Sequence, residues 1–130
     1  MSGYHTSCLS GCRVLIVEDE YFLASDLAVA LKEHGAEVIG PFGDLFEAMQ
    51  RAANFKFDVA IIDINLRDKS AYPVADELMR RNIPFIFATG YSAEVLPERF
   101  KEVSRWEKPY DLQLLVNDVA RHCRSVAVAD

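Results

Sequence analysis

The sequence predicts an α/β fold in which a five-stranded, doubly wound parallel sheet is covered by helices on both faces. Its apolar runs are continuous rather than alternating, which is typical of strands buried on both faces of a parallel sheet. The segments between these runs repeat apolar residues at helical spacing. The chain has 130 residues, of which 51% are hydrophobic, so it is long enough for one domain with a substantial core.

The strands are predicted from three strong and two weaker apolar runs. The strong runs are residues 13–17, 58–62 and 84–88, and the weaker ones are residues 37–39 and 102–106. They alternate with helical segments in the order βαβαβαβαβα. Short connections of this kind favour parallel strands joined by right-handed crossovers.

The helix ends are marked by residues with specific backbone preferences. Gly35 can stop the first helix, and Asp44 with Glu47 three residues later forms a capping pair for the second. Pro73 suits the first turn of the third helix. Asp111 is a plausible N-cap for the last helix, which is expected to end near residue 124.

The helix between the fourth and fifth strands is expected to be short or irregular. The stretch 91–100 contains Pro97 and only a broken apolar pattern. A parallel crossover needs about a dozen residues or more, so part of this connection is predicted to be loop.

The two ends of the chain are expected to lie outside the domain. Residues 1–12 are small and polar and are predicted to form a flexible leader. The domain is predicted over residues 13–124. Residues 125–130 are predicted to be a short tail with no output domain.

The cysteines have ordinary structural interpretations. Their odd number, three, does not suit a secreted disulfide framework. Cys8 and Cys12 could contribute to a metal site, but no second ligand pair follows at a suitable spacing, so an unstructured leader is favoured. Cys123 continues an apolar stripe and is predicted to be a core residue.

Charge and hydropathy exclude several classes of protein. Fourteen Lys and Arg residues against 20 Asp and Glu residues give a net charge of −6, which argues against sequence-independent binding of nucleic acid. The chain start lacks the apolar core of a signal peptide, and no apolar run is long enough to span a bilayer. The predicted location is therefore the cytoplasm, with no membrane insertion.

Polar residues follow the predicted strands at their carboxyl ends. Glu18 and Asp19 follow the first strand, Asp63 the third, Thr89 the fourth and Lys108 the fifth. In open α/β sheets, ligands bind outside these ends, where the strand order reverses. In the order 2-1-3-4-5 the first and third strands are neighbours at the reversal, so all five side chains are expected to converge there.

The converging carboxylates predict a Mg²⁺ site. Two like charges ~4 Å apart repel by about 4 kcal/mol at an effective dielectric of about 20, which a divalent cation would offset. Mg²⁺ prefers oxygen ligands and typically uses one or two carboxylates with a phosphate oxygen. A carboxylate beside it can act as a nucleophile and form an aspartyl phosphate. Lys108 and the Thr89 hydroxyl would then neutralise the transferring group.

Taken singly, each of these residues has an ordinary structural explanation. Glu18 and Asp19 could mark a helix N-terminus, and Asp63 could cap a loop. Thr89 could belong to a turn, and Lys108 could be solvated. Their occurrence at successive strand ends favours a functional site instead.

The same residues give the chain a resemblance to the receiver domain of response regulators in two-component signalling, which has a flavodoxin-like (βα)₅ fold. The matching motifs are VLIVEDE at 14–20, IIDINL at 61–66, ATG at 88–90 and EKPY at 107–110. The resemblance covers residues 13–124.

The resemblance implies specific roles for these residues. Asp63 is implied to be the phosphoacceptor, with Thr89 and Lys108 contacting the phosphoryl group. The implied Mg²⁺ ligands are Glu18, Asp19, Asp63 and the backbone carbonyl of Asn65. Pro109 is implied to follow a cis peptide bond.

Two further segments distinguish this chain from typical receivers. Residues 84–91 (PFIFATGY) are similar to the signature of the "FAT GUY" receivers, often single-domain proteins of alphaproteobacteria with a shortened fourth helix. Tyr91 is implied to lie near the entrance to the site. Arg105 stands where typical receivers have the Tyr or Phe that reports phosphorylation. Its neighbour Trp106 points to the opposite face of the strand and does not simply replace that aromatic residue.

The implied function is that of a stand-alone response regulator. It would accept a phosphoryl group from a histidine kinase or a histidine phosphotransfer protein, then signal to a downstream protein or relay the group. It would catalyse only its own phosphorylation and dephosphorylation. Two alternatives stay open, a docking module that acts without phosphorylation and a Mg²⁺-dependent phosphatase. A nucleotide binder is disfavoured because VEDEYF, rather than a glycine-rich loop, follows the first strand.

Overall fold

The computed structural model of the protein describes residues 8–90 and 95–129, with side chains up to residue 123. Five parallel strands form the main sheet, in the order β2-β1-β3-β6-β7. This is the predicted doubly wound order, since β6 and β7 are the fourth and fifth strands of that sheet. The five strands are β1 (Arg13–Val17), β2 (Glu37–Phe42), β3 (Val59–Asp63), β6 (Phe85–Thr89) and β7 (Arg105–Glu107).

Two very short strands, β4 (Asn65–Leu66) and β5 (Lys69–Ser70), form a separate antiparallel hairpin directly after β3. The two residues between them, Arg67 and Asp68, both have positive φ angles, of 47° and 70°. Such angles at both central positions are typical of tight hairpin turns. Residues 65–70 contain neither Gly nor Pro, so the sequence does not predict this hairpin.

In the described part of the chain, four α-helices cover the main sheet: α1 (Tyr21–Glu33), α2 (Leu45–Asn54), α3 (Tyr72–Arg80) and α4 (Leu112–Ala129). The predicted caps are confirmed. The Asp44 carboxylate accepts a hydrogen bond from the Glu47 amide at 2.9 Å, and the Asp111 carboxylate accepts one from the Leu114 amide at 3.0 Å. Pro73 lies in the first turn of α3.

The core has one apolar layer on each face of the sheet, as the continuous apolar strands predict. In β1, Leu15 and Val17 pack on the face covered by α2 and α3, whereas Val14 and Ile16 pack on the face covered by α1 and α4. All four side chains are fully buried. Burial on both faces is what holds the carboxyl ends of the strands in a fixed arrangement.

The connection between β6 and β7 contains no α-helix among its described residues, which confirms the expected irregular segment. A single 3₁₀ turn, Glu98–Phe100, takes its place. The Phe100 ring is fully buried, 5.4 Å from the ring of Phe87 and 5.3 Å from that of Tyr72. Arg99 pairs with Asp76 of α3 through two hydrogen bonds, of 2.7 and 3.1 Å. These contacts replace the packing that an α-helix between β6 and β7 would provide.

The expectation of a flexible leader is wrong for residues 8–12, the part of it that the structure describes. Leu9 is 1% exposed and inserts into the apolar layer beneath α1 and α4. Its amide donates a hydrogen bond to the His34 carbonyl at 2.8 Å. Cys12 is also buried and forms a disulfide with Cys123, while Cys8 is free. One apolar side chain and one covalent bond therefore hold this segment on the domain.

The last helix is longer than predicted, and Cys123 is not simply a core residue. The backbone stays helical to Ala129, past the expected end near residue 124. Residues 125–129 (SVAVA) contain neither Gly nor Pro, so nothing in the chain stops the helix there. Among the described residues, no helix is both long and apolar enough to cross a bilayer.

We expect Phe100→Ala to lower the free energy of unfolding by about 3–5 kcal/mol, because it removes a fully buried ring from the aromatic cluster beside α3. Urea denaturation would measure the change. Phe46→Ala is the matched control: that ring is 71% exposed, and its loss should cost no more than about 0.5 kcal/mol. Equal losses in the two variants would contradict the assignment of Phe100 to the core.

Candidate functional site

The polar side chains predicted to converge lie at the carboxyl edge of the three central strands. Glu18 directly follows β1, Asp63 is the last residue of β3, and Thr89 is the last residue of β6. The parallel register pairs Val17 with Ile62 and Asp63 with Ala88. The strand ends are therefore level, and the residues that follow them share one rim.

Three carboxylates meet at this rim. One oxygen from each of Glu18, Asp19 and Asp63 lies within 4.8 Å of the others. Glu18 and Asp63 are only 4% and 5% exposed. A cluster of carboxylate oxygens is the donor set that hard cations such as Mg²⁺ prefer, so these residues fit the predicted metal.

Burial and crowding change the acidity of Glu18. Removal from water and the charge of Asp63 raise its pKa to about 7, against the opposing effects of the Glu20 amide and the Lys108 ammonium group. Burial next to a second carboxylate therefore favours the protonated form of Glu18, and a cation at the site favours the charged form.

Lys108 supplies the positive charge of the site. Its Nζ lies 3.0 Å from a Glu18 oxygen and 2.9 Å from an Asp63 oxygen, and the side chain is 12% exposed. Burial alone would lower the pKa of Lys108, but hydrogen bonds to Glu20 and Asp63 outweigh it and raise that pKa. The Lys108 amide donates to the Thr89 carbonyl at 2.8 Å, which fixes the segment after β7 against β6.

Glu20 is a member of this cluster that the sequence analysis does not single out. Its carboxylate accepts a hydrogen bond from Lys108 Nζ at 2.6 Å, yet the side chain is 61% exposed. It occupies the N-cap position of α1, and its own amide donates to Glu18. The ammonium group of Lys108 is thus shared among three carboxylates. The run Glu18-Asp19-Glu20 was the available signal.

The β4–β5 hairpin holds two of the carboxylates in place. The Arg67 amide, in the hairpin turn, donates to the Asp19 carboxylate at 2.8 Å, and the Asn65 amide donates to Asp63 at 3.1 Å. No Asn-Gly or Asp-Gly pair marks this turn in the sequence, so its role was not predictable. These backbone donors fix the orientation of the two carboxylates.

Residues at this edge of the sheet enclose a cavity of about 400 Å³ that opens to solvent. Gly90 lies in the cavity wall, and Thr89, the residue before it, is fully buried.

Tyr91, which the resemblance implies lies near the entrance to the site, is outside the described residues. The peptide bond before Pro109 is cis, as the resemblance implies. The lining residues are Asp19, Glu20, Asp63, Asn65, Arg67, Asp68, Gly90 and Lys108.

The two residues before the EKPY motif lie on opposite faces of β7. Arg105 is exposed, whereas Trp106 packs in the apolar layer of α1 and α4. The Trp106 indole Nε1 donates to the buried carboxylate of Asp118 at 2.8 Å. Trp106 therefore fixes β7 to α4 and does not occupy the position of the receiver's switch aromatic, as strand parity predicts.

The chain is similar to several known regulatory proteins. The family model of the response regulator receiver domain matches residues 14–120. The transcriptional regulatory protein PdtaR of Mycobacterium tuberculosis is 33% identical over 108 residues, covering 80% of this chain and 53% of that protein. The sensory transduction protein LytT of Bacillus anthracis is 28% identical over 116 residues, covering 85% of this chain and 46% of that protein. The chain spans about half the length of these curated relatives.

Solved structures show the same fold. The signal receiver domain of a LuxO repressor protein from Vibrio parahaemolyticus has a TM-score of 0.78 and 26% identity, covering 92% of this chain and 95% of that one. A CheY-like receiver domain from Methanospirillum hungatei has a TM-score of 0.80 and 22% identity, covering 92% and 98%. The response regulator PhyR from Brucella abortus has a TM-score of 0.81 and 24% identity, covering 98% of this chain and 54% of that one.

The raised pKa of Glu18 predicts how stability depends on pH in metal-free buffer. Unfolded Glu18 ionises near its ordinary value of 4.5, whereas folded Glu18 keeps its proton to about pH 7. As pH rises, Glu18 in the unfolded state therefore loses its proton before Glu18 in the folded state does, which favours unfolding. This side chain lowers the free energy of unfolding by roughly 1–3 kcal/mol between those two pH values. Urea denaturation at pH 5 and pH 8 would measure the difference between wild type and Glu18→Gln.

The exposed Glu102→Gln variant is the control for this pH effect and should follow the wild type at both pH values. A Glu18→Gln protein that also loses stability in parallel with the wild type would show that Glu18 does not titrate in this range.

Proposed function

The chain belongs to the response regulator receiver domain family, and we propose that it is a phosphoacceptor that takes a phosphoryl group on Asp63. One observation carries this proposal: Lys108 Nζ contacts the Asp63 carboxylate at 2.9 Å beside a cavity that opens to solvent. An almost buried carboxylate with a cation on one oxygen is suited to attack an electrophilic phosphorus. The acceptor and the neutralising charge belong to different elements that only the fold brings together.

In the proposed reaction the donor is a phosphohistidine on a histidine kinase or a histidine phosphotransfer protein. An Asp63 oxygen attacks the phosphorus atom, a new P–O bond forms, and the P–N bond to the donor imidazole breaks. The electron pair of that bond returns to the imidazole. Lys108 Nζ and the Thr89 hydroxyl offset the charge on the equatorial oxygens of the transferring group.

The residues that would hold Mg²⁺ are Glu18, Asp19, Asp63 and the backbone carbonyl of Asn65. Bound there, Mg²⁺ would supply positive charge next to the phosphoryl oxygens. The amides of Arg67 and Asn65 keep Asp19 and Asp63 oriented toward the cavity. The oxygen donors required for the metal are thus held by the chain's own backbone.

Phosphorylation would change the partners of Lys108. Its ammonium group lies between Glu18, Glu20 and Asp63. A phosphoryl group on Asp63 carries more negative charge than the carboxylate that it modifies, so it would draw Lys108 away from the other two. Because the Lys108 amide is bonded to β6 and α4 begins four residues later, this movement would shift the β6–β7–α4 region between two populated states.

The family supports a role in two-component signalling. We propose a cytoplasmic response regulator that signals through a downstream protein or relays the phosphoryl group. It would not bind nucleic acid, and it would catalyse only its own phosphorylation and dephosphorylation. The kinship with "FAT GUY" receivers stays an interpretation of residues 84–91.

We expect Asp63→Asn to abolish labelling by a small phosphodonor such as acetyl phosphate in the presence of Mg²⁺, because the variant lacks the nucleophilic oxygen. Intact-mass measurement after incubation would detect the phosphoryl group on the wild type only. Asp68→Asn is the matched control: Asp68 lines the same cavity, and its φ of 70° suits Asn. This variant should be labelled like the wild type.

Persistent labelling of Asp63→Asn would move the acceptor to another residue. A wild-type protein that stays unlabelled by every donor would favour the docking module. Repeated hydrolysis of an added phosphoester would favour the phosphatase.

We expect Lys108→Ala to separate labelling from the conformational change. Asp63 keeps its nucleophilic oxygens, so labelling should persist at a lower rate without the charge that offsets the equatorial oxygens. The phosphoryl group, however, no longer has the ammonium partner that would move the β6–β7–α4 region. Labelling would be followed by mass, and the conformational change by the fluorescence of Trp106, the one tryptophan of the chain. The surface variant Lys101→Ala should retain both responses. A full fluorescence response in Lys108→Ala would show that another residue transmits the signal.

A further inference from the structure

The disulfide between Cys12 and Cys123 joins the start of the described chain to its last helix. Cys12 directly precedes β1, and Cys123 lies in the second half of α4, 111 residues later. The bond lies outside the cavity that holds Asp63, and neither cysteine takes part in the proposed phosphorylation. Its position makes it a covalent tie between the sheet and α4.

We propose that Cys12 and Cys123 form a thiol-oxidation site, at which a low-molecular-weight disulfide converts a folded dithiol form of the protein into a folded disulfide form. The interconversion controls how firmly the distal half of α4 is held on the domain. This inference goes beyond the proposed function and does not depend on it.

The dithiol form is expected to fold because the packing of the domain does not require the covalent bond. Two buried apolar layers cover the sheet. Four buried side chains and the hydrogen bond from Trp106 to Asp118 anchor α4 independently of the cysteines. A domain of this size can be stable without a disulfide. The four buried side chains are Leu115, Val116, Val119 and Ala120.

The two sulfur atoms differ in access, which determines the order of the steps. Cys123 is partly exposed, whereas Cys12 is 3% exposed. With glutathione disulfide as oxidant, the Cys123 thiolate attacks one glutathione sulfur and releases a glutathione thiolate. The Cys12 thiolate then attacks the Cys123 sulfur and releases the second. The two cysteines lose two protons and two electrons, and glutathione disulfide is reduced to two glutathione molecules.

The consequence falls on the end of α4 that carries the disulfide. Ala120 is the last fully packed side chain of the helix among those described, and Cys123 follows one turn later. Reduction therefore removes the covalent anchor from the helix beyond residue 120. The other end of α4 begins four residues after Lys108, so the bond acts on the same element as the phosphorylation site but from the opposite end.

A carboxylate next to the two cysteines makes zinc binding an alternative to disulfide formation at this site. An Asp58 oxygen and the two sulfur atoms lie within 4.8 Å of one another, and Asp58 also accepts a hydrogen bond from the Arg13 amide at 2.8 Å. Two thiolates and a carboxylate are known ligand types for zinc. Metal content is therefore measured together with the thiol count.

The experiment incubates the reduced, folded protein with glutathione disulfide and follows free thiols and intact mass. We expect the wild type to form a Cys12–Cys123 crosslink, seen as a linked peptide after digestion and reversed by dithiothreitol. Cys8→Ser is the matched control: it should lose two thiols and the mass of two hydrogen atoms, and retain no glutathione. The double variant Cys8→Ser/Cys12→Ser, whose single thiol is Cys123, should stop at the mixed disulfide, with one glutathione on Cys123.

Both redox forms of Cys8→Ser should show the same far-UV circular dichroism and a cooperative unfolding transition. Backbone amides from residue 121 onward should exchange hydrogen faster in the dithiol form. Five results would overturn the proposal. In Cys8→Ser, both thiols could stay free, or each could carry a glutathione. The reduced protein could lack a cooperative transition, amide exchange could be equal in both forms, or one equivalent of zinc could block oxidation of the reduced protein.

Discussion

The structure depends on the balance of charge at the carboxyl edge of the sheet. Glu18 and Asp63 are almost completely buried, and Asp19 lies beside them. Buried charges are tolerated only when they are paired and hydrogen-bonded. Lys108 provides the pairing, and the amides of Asn65 and Arg67 provide hydrogen bonds. The ends of β1 and β3 thus supply the carboxylates, and the segment after β7 and the β4–β5 hairpin supply their partners.

This balance explains why the site joins elements that are far apart in the chain. Lys108 is 45 residues from Asp63 and 90 from Glu18, so its ammonium group ties the end of β7 to the ends of β3 and β1. Glu20 adds a solvent-exposed carboxylate to the same cation. A site held by one shared cation responds to any new charge on one of its carboxylates, because that cation must redistribute among its partners. Such sensitivity is what a receiver requires.

Much of the fold and of the candidate site could be predicted because local patterns and tertiary structure agree. The buried strands are continuous apolar runs in the sequence, and the polar residues lie at the strand ends. Asp44 and Asp111 cap the two helices that they were predicted to cap. What escaped prediction either lacks a local signal or depends on contacts distant in sequence. The tight turn at Arg67 carries no glycine signal, and Leu9 becomes a core residue only through the layer beneath α1 and α4. The pairing of Cys12 with Cys123 likewise requires both ends of the chain to be in place.

The two outer strands of the main sheet differ in how they limit association. β7 has only three residues, with charged side chains at both ends, and β2 contains Pro41, which lacks a backbone donor. Edge strands that are short, charged or contain proline disfavour pairing with the edge strand of another sheet. Copies of this domain therefore have little opportunity to extend one sheet into the next. The protein should therefore resist the strand-mediated aggregation to which open sheets are prone.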